Sequence, residues 1–215
     1  MMKTHKLVLL SALLTVSLAV LSPVSAHAQL KITEIQASEV GSGHGDWFEL
    51  SNFGASPITM TGYKFDDNST NITLAVTLPT ITLAAGESAV FAESTTFAAF
   101  TNWWGITAPI QVDIYAGSGV SLGAGGDQVN IWDGSGNLVD YAWFNSATSG
   151  HTFDQFDPIT HLATHESVNG VNDAFTSADG NIGSPGLVAV VPEPSSFALA
   201  AVGLGALLKF RNRRK

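Results

Sequence analysis

Residues 32–65 read "ITEIQASEVGSGHGDWFELSNFGASPITMTGYKF", and this stretch decides the fold. Successive side chains of a strand point to opposite faces, so in "DWFELSN" Phe48 and Leu50 point one way while Trp47 and Glu49 point the other. Each face therefore needs partners of its own. Working outward, Ile72, Leu74, Val76 and Leu78 alternate without a slip, and Ile110, Val112 and Ile114 repeat the pattern. Residues 128–132 and 138–144 flank "DGSGN", whose Asp and Gly residues favour a tight hairpin turn. Short alternating runs divided by Gly, Asn, Asp and Pro predict an all-β fold of about eight half-buried strands.

One stretch departs from that period. Phe97, Phe100, Trp103 and Trp104 fall at i, i+3, i+6 and i+7 behind Ser94, Thr95 and Thr96, a cluster able to cap a helix. A single short helix is expected there. Its aromatic stripe has the spacing of a buried face, and core packing is the reading preferred over a sugar-stacking surface.

Charge is distributed unevenly. Seven of the nine basic residues lie near the two ends, leaving Lys31 and Lys64 against 17 acids between Gln29 and Val191. Such a domain repels nucleic acid, because phosphate binding rests on Lys and Arg displacing counterions. The chain has no cysteine, which excludes thiol chemistry and leaves stability to burial and hydrogen bonding.

The order of these segments resembles the lamin-tail domain, an immunoglobulin-like β-sandwich of nuclear lamins and many bacterial exported proteins. Ile32, Glu34 and Ile35 match the start of its first strand, "DWFELSNFG" its Trp-x-Glu-Leu-x-Asn-x-Gly core, and Gly62 with Tyr63 the end of its third strand. "LAAGESAVF", "SLGAGGDQVNIWDGSGNLVDYAWF" and the closing "IGSPG" at residues 182–186 follow in the family's order, whereas residues 150–179 fit loosely. The resemblance implies a domain over residues 29–186. It brings no shared catalytic residues.

The two ends carry address signals. Lys3 and Lys6, the apolar run from Leu7 to Leu21 and the pattern Ala26-His27-Ala28 read as a secretory leader over residues 1–28, cut by signal peptidase after Ala28. At the other end Val191, Pro192, Glu193 and Pro194 precede an apolar run over residues 197–208, extendable to 195–208, with Lys209, Arg211, Arg213, Arg214 and Lys215 behind it. A 12-residue helix reaches about 18 Å against the roughly 30 Å of a bilayer core. It suits transient membrane anchoring, and the basic residues stay on the cytoplasmic side. Residues 187–215 thus resemble a linker and the PEP-CTERM sorting signal of Gram-negative, polysaccharide-producing bacteria. That resemblance implies recognition of Val191, Pro192, Glu193 and Pro194 by exosortase, an integral membrane protein that cuts such tails.

Three clusters could carry chemistry. "GVSLG", residues 119–123, has the spelling of a hydrolase nucleophile elbow around Ser121, but a Gly-rich turn and a strand follow it where a helix is required. His151, Asp154, Asp157, His161, His165 and Glu166 form the one metal-like group, lacking the H-E-x-x-H order and interrupted by Pro158; a polar surface loop is the preferred reading. Asp133, Ser135, Asn137 and Asp140 partly resemble a calcium loop but serve equally as a hairpin turn. The expectation is an exported, non-catalytic surface or extracellular-matrix protein associated with exopolysaccharide, without a cofactor or an assigned metal ligand. A metal-dependent phosphoesterase or nuclease using residues 151–166 and a calcium-dependent adhesin are its rivals.

Overall fold

The computed structural model describes residues 30–41, 45–68, 71–93, 95–115 and 120–187. The expected leader with Ala26 and Ala28, the sorting residues Val191 to Pro194, the apolar helix and the basic end lie outside the described residues. Among those described, fourteen strands and one helix occur. The larger sheet has six strands in the order β12 (Ala163–Glu166), β11 (Phe153–Phe156), β1 (Leu30–Gln36), β2 (Trp47–Asn52), β7 (Ser88–Glu93) and β8 (Gln111–Tyr115). Opposite lies a four-stranded sheet, β10 (Leu138–Phe144), β9 (Asp127–Trp132), β4 (Lys64–Asp66) and β5 (Val76–Thr77). Two short ladders complete it: β3 (Ile58–Thr59) with β6 (Thr82–Leu83), and β13 (Phe175–Thr176) with β14 (Ile182–Gly183). All pairs are antiparallel except β7 with β8, which run parallel with helix α1 (Phe97–Trp104) in the connection between them.

The alternation in β2 explains the layering. Phe48 and Leu50 enter the space between the sheets, where Phe48 meets Phe65 of β4 at 4.5 Å and Phe91 of β7 at 5.4 Å between ring centroids. Trp47, on the opposite face, joins Val90, Ala92, Phe100, Trp103 and Trp104 in a second apolar cluster. The six-stranded sheet is therefore covered on both sides, by the smaller sheet on one and by α1 on the other. Thr96 caps α1 by accepting a hydrogen bond from the Ala99 amide, and Phe100, Trp103 and Trp104 are buried as their spacing predicts, while Phe97 faces outward.

The run from Ile72 to Leu78 does not form one strand. Asn71 accepts hydrogen bonds from the Thr73 amide and hydroxyl, folding residues 71–74 into a turn that leaves Leu74 exposed. This side-chain turn competes successfully with the ladder, so the strand is confined to Val76–Thr77. The strand count exceeds about eight because the connections between the long strands form two-residue ladders of their own.

Candidate functional site

Two glutamates face each other beneath the last described segment of the chain. Glu34 and Glu49 are register partners across β1 and β2, on the sheet face shared with Trp47, and both are fully buried. A register irregularity between Ile32 and Glu34 accommodates Thr33, whose hydroxyl also reaches Glu49 at 2.7 Å. Neutral donors surround the pair. Glu34 accepts from the Thr152 hydroxyl at 2.5 Å, the Ser184 amide at 2.7 Å and the Ser184 hydroxyl at 3.1 Å. Glu49 accepts from Thr33, from Ser51 at 3.4 Å and from the Gly186 amide at 2.5 Å. Burial pushes both carboxyls well above the ordinary range, and the charge of Glu49 raises Glu34 further. The hydrogen bonds favour the charged forms but do not outweigh desolvation.

These contacts give the closing "IGSPG" a physical role. A Cβ at Gly183 would stand 2.7 Å from Glu34 Oε1, 2.7 Å from Thr152 Cγ2 and 2.9 Å from Trp104 Cη2, so only glycine lets the backbone lie this close to the pair. Gly186 takes φ +79°, and a Cβ there would meet Ile110 Cγ2 at 2.5 Å. Ser184 and Gly186 then aim their amides at different glutamates, fastening residues 182–186 to the sheet. The sequence held a signal for this site: Glu49 shares a face with Trp47 inside a strand whose other residues are apolar or small.

A second group of acids closes one end of the sandwich. Asp46, just ahead of β2, and Glu93, at the end of β7, neighbour each other, with the Glu93 amide donating to the Asp46 carbonyl at 2.8 Å, and Glu93 is the register partner of Tyr115. Asp67 follows β4 in the opposite sheet. Residues 121–123 insert between them: the Ser121 amide donates to Asp67 at 2.7 Å, the Leu122 amide bonds Asp46, and the Gly123 amide donates to Asp127 at 2.7 Å. Partial burial pushes Asp46 up to about 7, with the charges of Glu39 and Glu93 adding to it. Ser121 thus sits among carboxylates with its hydroxyl 3.5 Å from Asp46, and a turn followed by β9 comes after it, not a helix.

The 151–166 group separates onto different partners. His151 Nδ1 is 2.9 Å from the Ser167 carbonyl, and Asp157 caps a turn through the Ile159 and Thr160 amides. Glu166 accepts from the Thr148 amide. His161, at φ 60°, stacks on Tyr141 with centroids 4.0 Å apart and approaches Asp140 at 3.7 Å. His165 lies in β12 and binds Asp154 at 2.6 Å. The surface loop expected here is a strand pair, β11 with β12, added to the edge of β1, so His161 and His165 do not share a helical face. Asp133 accepts from the Ser135 and Asn137 amides and organises the hairpin turn, whereas Asp140 binds Lys31 Nζ at 3.1 Å and the Ile32 amide at 2.9 Å. Among the described residues no group of three or more His, Asp or Glu side chains could hold a metal ion, and no helix is long and apolar enough to cross a membrane.

The fold and these sites define a two-sheet β-sandwich module whose C-terminal segment is fastened to its larger sheet. The family model of the Lamin Tail Domain matches residues 23–145, more than half of the chain, and the chain belongs to that family. The PEP-CTERM protein-sorting motif matches residues 190–215 and points to an exported protein processed by exosortase. No curated protein matches the chain.

Proposed function

We propose that this protein is a non-catalytic module of the cell surface or extracellular matrix, delivered by its C-terminal signal and associated with exopolysaccharide or other surface proteins. The observation that carries the reading is the attachment of residues 182–186 to Glu34 and Glu49, directly ahead of the matched sorting motif. A chain end fastened to a rigid sheet gives exosortase a short tail that begins at a fixed point. Val191, Pro192, Glu193 and Pro194 are the recognition element, with Lys209, Arg211, Arg213, Arg214 and Lys215 holding the tail at the membrane. A metal-dependent hydrolase would need His151, Asp154, His161 and His165 to converge, and their separate partners weigh against it.

Mass spectrometry of the released protein tests the delivery step. A C-terminus near Val191 to Pro194 is expected, and an Ala substitution at Pro192, Glu193 and Pro194 should leave the tail attached. Intact peptides spanning Arg211 to Lys215, recovered from released protein in a strain with active exosortase, would overturn the reading.

A further inference from the structure

We propose that Asn71 is an acceptor for N-linked glycosylation, modified after export by transfer of a sugar chain from a lipid-pyrophosphate carrier. The proposal rests on the export to which the sorting motif points. Residues 71–73 read Asn-Ile-Thr, the acceptor spelling in which Thr or Ser stands two positions after the asparagine and the middle residue is not proline. Asn68, Ser69 and Thr70 give the same spelling directly ahead of it. No other asparagine of the chain has Ser or Thr two positions on, so both matches fall in the one connection between β4 and β5.

The spelling alone is common, and the local geometry is what singles out Asn71. A bulky, solubilising sugar chain needs a surface position. Asn71 and Thr73 are exposed, whereas Ile72 between them is half-buried and packs toward Gly136 in the hairpin turn. The turn is thus held by its middle residue while its two acceptor residues face solvent. Its backbone is closed by the Leu74 amide, which donates to the Asn71 carbonyl at 3.1 Å, and by the Ala75 amide, which donates to the Ile72 carbonyl at 3.3 Å. Asn52, Asn130 and Asn181 differ: all three are fully buried, with Nδ2 spent on backbone carbonyls.

The same turn prepares the chemistry. Asn71 Oδ1 accepts from the Thr73 hydroxyl at 2.7 Å and from the Thr73 amide at 3.2 Å. Two donors on the carbonyl oxygen draw electron density from the amide and make its Nδ2–H more acidic. In the transfer, Nδ2 bonds to the anomeric carbon of the sugar as the bond from that carbon to the pyrophosphate oxygen breaks. The electron pair leaves with the lipid pyrophosphate, the amide proton passes to a base on the transferring enzyme, and nothing is oxidised or reduced. The Thr73 hydroxyl is a positioning group, because it acts through Oδ1 and not on the sugar.

Mass spectrometry of the exported protein from its own cells tests this, on peptides covering residues 66–78 fragmented by electron transfer so that a sugar stays on its side chain. A mass increment of one or more sugar residues on Asn71 is expected, while Asn169, also exposed but followed by Gly170 and Val171, carries none. Asn71→Asp keeps the acceptor oxygen of the turn; it should abolish the increment at residue 71 and leave the melting temperature unchanged when the full chain is made in a host without the transferase. Thr73→Val should abolish the increment and Thr73→Ser retain it. Because only exported protein is taken, an unmodified Asn71 counts against this proposal and not against delivery. Unmodified Asn71 in the wild type, a sugar on Asn68 alone, or an increment on Asn71 that survives Thr73→Val would overturn the assignment.

Discussion

The molecule concentrates carboxylates in two places and treats them differently. Glu34 and Glu49 lie sealed beneath residues 182–186, ringed by neutral hydroxyls and amides. Asp46, Asp67 and Glu93 line an end of the sandwich that stays partly open, with a loop of amides as their main support. Among the described residues neither place has a cationic partner. The sealed pair meets its electrostatic cost by holding protons, and its donors come from the segment that must be fastened. At the other end Asp46 and Glu93 are only partly buried, and backbone amides of residues 121–122 bond Asp46 and Asp67. Burial, not residue type, separates the two groups of carboxyls.

pH separates the two most strongly. Glu34 and Glu49 are raised from 4.5 to about 8 and about 7, so the folded protein retains protons that the unfolded chain releases. Stability from this source is complete below about pH 4.5 and is lost as pH rises through 7 to 8. Denaturant unfolding between pH 5 and pH 8 should show a loss on the order of several kcal/mol. Glu49→Gln should flatten the profile and raise stability at pH 8. Asp46 contributes in the same direction. An unfolding free energy independent of pH would break the distinction.

Packing gives the next largest difference. Gly183→Val forces a side chain into Glu34, Thr152 and Trp104, and a loss of about 2–3 kcal/mol is expected in urea unfolding. At the open end, Gly125→Ala meets nothing within 4 Å and should change stability by less than about 0.5 kcal/mol. Comparable losses at both positions would show that residues 182–186 are not tightly seated.

Smaller effects test the groups set aside. His165→Ala removes a donor from the buried Asp154, which keeps the Asn172 amide, so a loss of about 1 kcal/mol is expected. His161→Ala with His165→Ala should leave phosphodiesterase and esterase assays unchanged; turnover present in the wild type and absent from the pair would restore the hydrolase. Lys31→Met removes a half-exposed ion pair and should cost under about 1 kcal/mol.

Much of the fold was legible in the sequence because alternation reports burial directly. The two faces of β2, the helix with its aromatic stripe and the hairpin around Asp133 all follow from period and turn chemistry. Residues 72–78 misled because their alternation was correct while Asn71 offered a competing turn. The site was less legible. Glu34 and Glu49 were visible as parts of a motif, but their pairing depends on a register set by the bulge at Thr33, and their seal comes from residues about 150 positions away. His161 and His165 had suggestive spacing, which carried no meaning once their segment formed a strand pair.

Hydrogen exchange of the Ser184 and Gly186 amides in the full-length protein tests the carboxyl clasp most directly. Protection at pH 6 comparable to that of the β1–β2 ladder is expected for both amides, since each donates to a buried carboxyl. Glu34→Ala should expose Ser184, and Glu49→Ala should expose Gly186, while the His161 and His165 substitutions leave both protected. Free exchange of the two amides in the wild type at pH 6, at the rate of an unstructured chain, would contradict the clasp.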